Sequence, residues 1–127
     1  MVVDSDVIIR FLTNDDSQKA SRFERYLKTG KKIILTDVTF AEIYWTLASF
    51  YQFPKNKILN SLETLINHKS IICQKNILER TIQILKEYNI SLIDAYNAAY
   101  ASISNEAKIL SFDKGLGKIK NLTRVEP

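Results

Sequence analysis

"MVVDSDVIIRFL", residues 1–12, opens on an apolar run and then sets two carboxylates, Asp4 and Asp6, either side of Ser5 before a second apolar run begins. The pattern predicts a strand that ends at Asp4 and a helix that begins at Asp6. Farther along, residues 32–35, 70–73, 108–112 and 122–125 form short runs rich in β-branched and other apolar residues. They alternate little, as expected of strands covered on both faces. Helical patterns lie between them. In "FAEIYWTLASFY", Phe40, Ile43, Tyr44, Leu47, Ala48 and Tyr51 make one continuous helical stripe. Residues 55–67 repeat it with Ile58, Leu62, Leu65 and Ile66, and residues 76–88 with Leu78, Ile82, Leu85 and Tyr88. "SLIDAYNAAYASIS" is a further, alanine-rich helix. Strands alternating with helices predict the α/β class, with a central, mostly parallel sheet of four to five strands between helical layers.

At 127 residues the chain is expected to be one domain, residues 1–127, with one core. Three glycines and two prolines leave little room for long flexible loops. No apolar run is long enough to cross a bilayer, and the first residues lack a secretory pattern, so a cytoplasmic location without membrane association is expected. The one cysteine, Cys73, excludes an internal disulfide or a cysteine-built zinc site, and "SIIC" places it as a buried strand residue. The one histidine, His68, reads as a surface loop residue and makes a poor metal site alone.

Eighteen Lys and Arg against 14 Asp and Glu give a net charge of +4, which permits an anionic partner without requiring one. The basic residues gather in "KTGKK" (Lys28, Lys31, Lys32) and in "DKGLGKIKNLTR" (Lys114, Lys118, Lys120, Arg124). Several acids, in contrast, stand in apolar surroundings. Parallel sheets bind ligands beyond the carboxyl ends of their strands. Asp4 and Asp6 follow the first strand, and Asp113 follows "KILSF" in the same way. Glu42 lies within the helix of residues 38–51 with Val38 and Trp45 on its own face, surroundings in which a buried carboxylate is costly unless compensated.

Each acid also has an ordinary structural reading. Thr39 with Glu42 and Ser91 with Asp94 fit capping boxes, "FDKG" around Asp113 fits a turn, and Asp4 or Asp6 fits an N-cap. A rim shared by Asp4, Glu42, Asp94 and Asp113 would concentrate about four negative charges at helix starts. Charges that close demand neutralisation by cations. All-oxygen ligands favour Mg²⁺ or Mn²⁺ over zinc, and such ions assist phosphodiester hydrolysis.

The ordered set "VVDSDVIIRFL", "TFAEIYWTL", "LIDAYNAAYA" and "ILSFDKGL" resembles the PIN domain, in particular the small VapC-like toxin ribonucleases, across essentially the whole chain. The resemblance implies a three-layer α/β/α PIN-like domain and a Mg²⁺- or Mn²⁺-dependent endoribonuclease. It also implies a homodimer whose activity is blocked by a cognate antitoxin protein. Carried over residue by residue, the acidic site falls on Asp4, Glu42, Asp94 and Asp113, with Ser5 and Ser111 as hydroxyl neighbours. Asp4, Asp94 and Asp113 would hold the metal, with Glu42 and Asp6 as further candidates, while Glu42 orients or deprotonates the attacking water. Lys114 and Lys118 would contact RNA phosphates beside the cut, and Lys31, Lys32 and Arg124 more distant ones. Two departures stand out. Asp4-Ser5-Asp6 replaces the family's frequent Asp-Thr-Asn, and glycines follow Asp113 where a further acid is common.

Two other functions compete. D-x-D after a first strand also suits an aspartyl phosphatase of the haloacid dehalogenase type, with Asp4 as nucleophile and Asp6 as general acid, although the chain is short for that fold. A PIN-like module that binds RNA or protein without cutting is the non-enzymatic alternative. "IYWTLASFYQF" holds more large apolar surface than one core face needs, which suits a dimer contact or an antitoxin groove.

Overall fold

Asp4 leaves the first extended segment and turns the chain into a helix. In the computed structural model, which describes residues 1–127, Val2 makes an isolated parallel bridge to Ile34. Asp4 is the N-cap of helix α1 (Ser5–Thr13), and its carboxylate accepts a 2.7 Å hydrogen bond from the Ser5 amide. The predicted helix thus starts at Ser5, and Asp6 lies in its first turn, where the free amides favour an acid. At the other end Asn14 adopts the left-handed conformation (φ 52°) that its short amide side chain tolerates, and its amide returns to the Arg10 carbonyl at 2.9 Å.

The chain forms two compact units, Met1–Lys75 and Asn76–Pro127. In the first, helix α2 (Ser17–Lys28) is capped by Asp16 and buries Ala20, Phe23 and Leu27. It packs on α1, with Phe11 and Phe23 edge to face at 5.4 Å. Strand β1 (Ile33–Ile34), helices α3 (Asp37–Ser49) and α4 (Lys55–Ile66), and strand β2 (Ile71–Ile72) follow. β1 and β2 pair in parallel, Ile33 with Ile71 and Ile34 with Ile72, so β1 lies between Val2 and β2. Ile8, Leu35, Phe40, Ile43, Leu47, Ile58, Leu59 and Leu62 are almost wholly enclosed. Each such side chain contributes about 1.5–3 kcal/mol of transfer free energy.

The second unit holds nearly all of helix α5 (Lys75–Glu87), then α6 (Leu92–Ile103), strand β3 (Lys108–Leu110), a 3₁₀ helix (Lys114–Lys118) and strand β4 (Thr123–Val125). α5 buries Ile77, Leu78, Ile82, Ile84 and Leu85 at helical spacing. α6 buries only alanines, Ala95, Ala98 and Ala99, whose small side chains let its backbone approach β3 closely. β3 and β4 pair in parallel, and the connection over residues 111–122 is long enough for that crossover.

The parallel pairing agrees with the sequence reading, but the single sheet of four to five strands does not form. Hydrogen bonds make two separate two-stranded sheets, β1–β2 and β3–β4, together with the Val2 bridge. Nor are the strands covered on both faces. Ile34, Ile72 and Leu110 are 38%, 48% and 68% exposed, so only part of each apolar run faces a core. Cys73 lies just past β2 and is half-buried rather than a buried strand residue. His68 sits in a turn, as expected, with Nδ1 accepting from the Ser70 amide at 3.0 Å. No helix is long and apolar enough to cross a membrane.

Candidate active site

Within the first unit, Asp4 and Asp6 share the start of α1, both exposed. One oxygen of Asp4 is engaged by the Ser5 amide. Ser5 between them is buried, 5% exposed, while both carboxylate residues are exposed. Glu42 lies one turn further along α3 than the capping-box reading requires. The true N-cap is Thr36, whose hydroxyl accepts the Thr39 amide at 3.1 Å, so Thr39 is already inside the helix. The desolvation argument for Glu42 also fails. Val38 and Trp45 flank it as expected, but they are 78% and 64% exposed, and Glu42 is exposed with them.

In the second unit the capping reading of Asp94 is correct in its first half. Ser91 caps α6 and accepts the Asp94 amide at 3.1 Å, which fixes Asp94 in the first turn, half-buried. The turn reading of Asp113 is also correct. Its carboxylate accepts the Gly115 amide at 2.8 Å and caps the 3₁₀ helix, while its own amide donates to the Ser111 hydroxyl at 2.9 Å. A side chain at Gly115 would meet that carboxylate at 3.1 Å, so glycine keeps the Asp113 turn tight. A cleft of about 730 Å³ between α6 and β3 has Asp94, Asn97, Tyr100, Lys108 and Ser111 in its walls. The structure therefore brings Asp94 and Ser111 to one cleft, with Asp113 bonded to Ser111 next to it.

These placements have a common physical basis. Asp4, Asp94 and Asp113 each sit at or just inside a helix start, where partial positive charge stabilises a carboxylate while one oxygen stays available. Neither unit gathers three or more His, Cys, Asp or Glu side chains as a ready-made metal cage. Carboxylates presented in ones and twos would suit a hard cation such as Mg²⁺ only where waters and substrate phosphates complete its shell.

The expected RNA contacts differ in how much charge they have to offer. Lys114 and Lys118 are exposed on the 3₁₀ helix. Lys32 donates to the Lys69 carbonyl at 2.6 Å, and Lys31 lies over the Tyr26 ring, 5.6 Å from its centroid. Arg124 bonds the Ser111 carbonyl and the Glu126 carboxylate, both at 2.8 Å, and so braces the segment before Asp113. Missing from the sequence reading is a cationic group on α1 and α2, Arg10, Lys19 and Arg22, which lines a cleft in the first unit. The spacing of Lys19, Arg22 and Tyr26, on one face of a helix, was the signal available for it.

No curated protein matches the sequence closely. The family model described as the PIN domain matches residues 1–122, a span that contains both compact units up to β4 and all four candidate acids. A match of that extent makes this chain a member of the PIN domain family.

Proposed function

We propose that this PIN domain is a divalent-metal-dependent endoribonuclease, the toxin of a type II toxin–antitoxin pair of the VapC-like kind. The observation that carries the reading is the family match running through Asp4, Glu42, Asp94 and Asp113, in a family whose members are generally nucleases and typically need divalent metal. The D-x-D phosphatase alternative draws no support from that match. The match also spans both compact units, which supports treating residues 1–127 as one functional domain.

Asp4, Asp94 and Asp113 are assigned to hold Mg²⁺ or Mn²⁺, with Asp6 as a further oxygen donor. When bound, the ion supplies Lewis-acid stabilisation of the phosphodiester and eases deprotonation of water. The protein's own groups do the rest. The Ser5 and Gly115 amides each fix one oxygen of Asp4 and Asp113, holding those carboxylates in single orientations. Ser111 fixes the backbone on which Asp113 stands. Glu42 accepts a proton from the attacking water. Lys114 and Lys118 hold phosphates near the cut, and Lys31, Lys32 and Arg124 hold more distant ones. A homodimer, a cognate antitoxin and a cytoplasmic site of action complete the proposal.

The test is cleavage of a structured RNA pool by the purified protein with Mg²⁺, with Mn²⁺ and with EDTA, beside Asp94→Asn. Metal-dependent cutting is expected, abolished in Asp94→Asn with the circular dichroism unchanged, and reduced about 10²–10⁴-fold in Glu42→Gln. A folded parent that binds RNA but never cuts it would establish the non-catalytic module instead.

A further inference from the structure

We infer that the cleft between α1 and α2 is a single-stranded RNA subsite, which grips phosphates on Lys19 and Arg22 and seats a base beside Asp4. The cleft holds about 410 Å³ and is walled by Asp6 and Arg10 from α1 and by Lys19, Arg22 and Tyr26 from α2. The α2 residues recur at one-turn spacing along a single face, and Asp6 and Arg10 stand one turn apart opposite them. The helices form a hairpin through residues 14–16, so Arg10 stands toward Lys19, and Asp6 toward Tyr26. The Tyr26 hydroxyl lies 3.7 Å from Met1 Sδ, which places that ring at the Asp4 end.

The charge is unevenly committed. Arg10 is tied to Asp15 at 2.7 Å, which fixes its guanidinium and offsets its charge. Lys19 makes only a 3.9 Å contact with Asp16, and both it and Arg22 are exposed. Those two supply the cleft's free positive charge. Lys19 and Tyr26 are separated by roughly 10 Å along the helix axis, a length that spans about three nucleotides of a stacked strand.

A second recess, of about 340 Å³, shares Val7, Phe23 and Tyr26 with this cleft. Apart from Asp4 and the Tyr26 hydroxyl, its side chains are apolar. An apolar slot edged by a tyrosine ring, opening onto a row of cations, suits a flat base joined to phosphates. An acidic peptide would satisfy the cations and leave the slot unexplained. The cleft also has direction, because its cationic end lies away from Asp4 and its apolar end against it. This inference rests on the nuclease reading for the choice of RNA, and deepens it by naming where the strand enters.

The experiment measures binding of a fluorescein-labelled single-stranded RNA 10-mer in EDTA over a range of salt, alongside metal-dependent cleavage of the same oligomer and of the RNA pool. Lys19→Ala/Arg22→Ala should bind at least about 10-fold more weakly and lower the salt slope by about 1.4, the loss of two phosphate contacts on a single strand. Tyr26→Ala should weaken binding about 5-fold or more at unchanged salt slope, with Tyr26→Phe restoring it. Lys28→Ala/Lys57→Ala removes the same charge elsewhere and should bind as the parent does. Equal losses in the two double variants, or a parent that does not bind the oligomer, would overturn the subsite. So would displacement of the RNA by a poly-glutamate peptide at lower concentration than by unlabelled RNA. A parent that cuts the pool while the cleft variants bind normally removes the subsite and keeps the nuclease. A parent that binds through the cleft and cuts nothing keeps the subsite and removes the nuclease.

Discussion

Asp15 shows how one side chain sets the chemistry of its neighbours. One of its oxygens accepts hydrogen bonds from both the Tyr51 hydroxyl and the Arg10 guanidinium, each at 2.7 Å. The Tyr51 bond is the main reason its carboxyl is held below the ordinary aspartate range. Desolvation opposes this, and Thr13 and Arg10 assist it. The same bond pushes the Tyr51 phenol up. A carboxyl lowered in the folded state adds stability that is present above the unfolded value of about 3.9 and is lost as pH falls through the folded value. Asp15→Asn should therefore lower the urea midpoint at pH 7, and the gap from the parent should close as the pH falls below the ordinary aspartate range. An equal gap at both pH values would show that the charge on Asp15 is not what holds Tyr51. For Tyr51 the sign reverses, since its raised value gives stability lost only as pH rises beyond the ordinary tyrosine range.

At the scale of elements, helix starts decide where the acids stand. α3 is capped by Thr36, so Thr36→Ala should cost about 1 kcal/mol, a fall of about 4 °C in Tm, while Thr39→Ala should change stability much less. The reverse order in thermal melts would restore the capping box at Thr39 and Glu42. The sequence carried most of this level. α3 to α6 lie within a residue or two of their apolar stripes, and Asp4, Asp94 and Asp113 occupy the cap and turn positions that their neighbours suggested. α2 escaped because its buried residues, Ala20, Phe23 and Leu27, are sparse among polar ones, and alanine is a weak apolar signal. The strands read longer than they are because an apolar run records hydrophobicity, whereas a ladder also needs a partner in register. Of residues 32–35 only Ile33 and Ile34 form strand, and of 70–73 only Ile71 and Ile72. Glu42 misled for a similar reason, since periodicity places Val38 and Trp45 on its face without saying whether that face is covered.

For the whole molecule, that uncovered face of α3 bears on partners. Val38 and Trp45 on that face are 78% and 64% exposed, an apolar pair of the kind a partner covers. Glu42 stands between Val38 and Trp45, so anything seated there also covers the proposed general base. A homodimer built through this face would silence itself, whereas an inhibitory antitoxin would gain from the same contact. Under the proposed function this face falls to the antitoxin, and a homodimer would use another surface. Trp45 is the chain's one tryptophan, so its fluorescence reports on this face alone. On raising the protein concentration through the dimerisation range found by sedimentation, the emission should stay that of a water-exposed indole and activity per chain should stay constant. Trp45→Glu should leave the dimer intact. A blue shift that tracks dimer formation, with falling activity per chain and a monomeric Trp45→Glu variant, would instead place the second copy on α3 and make self-association the means of inhibition.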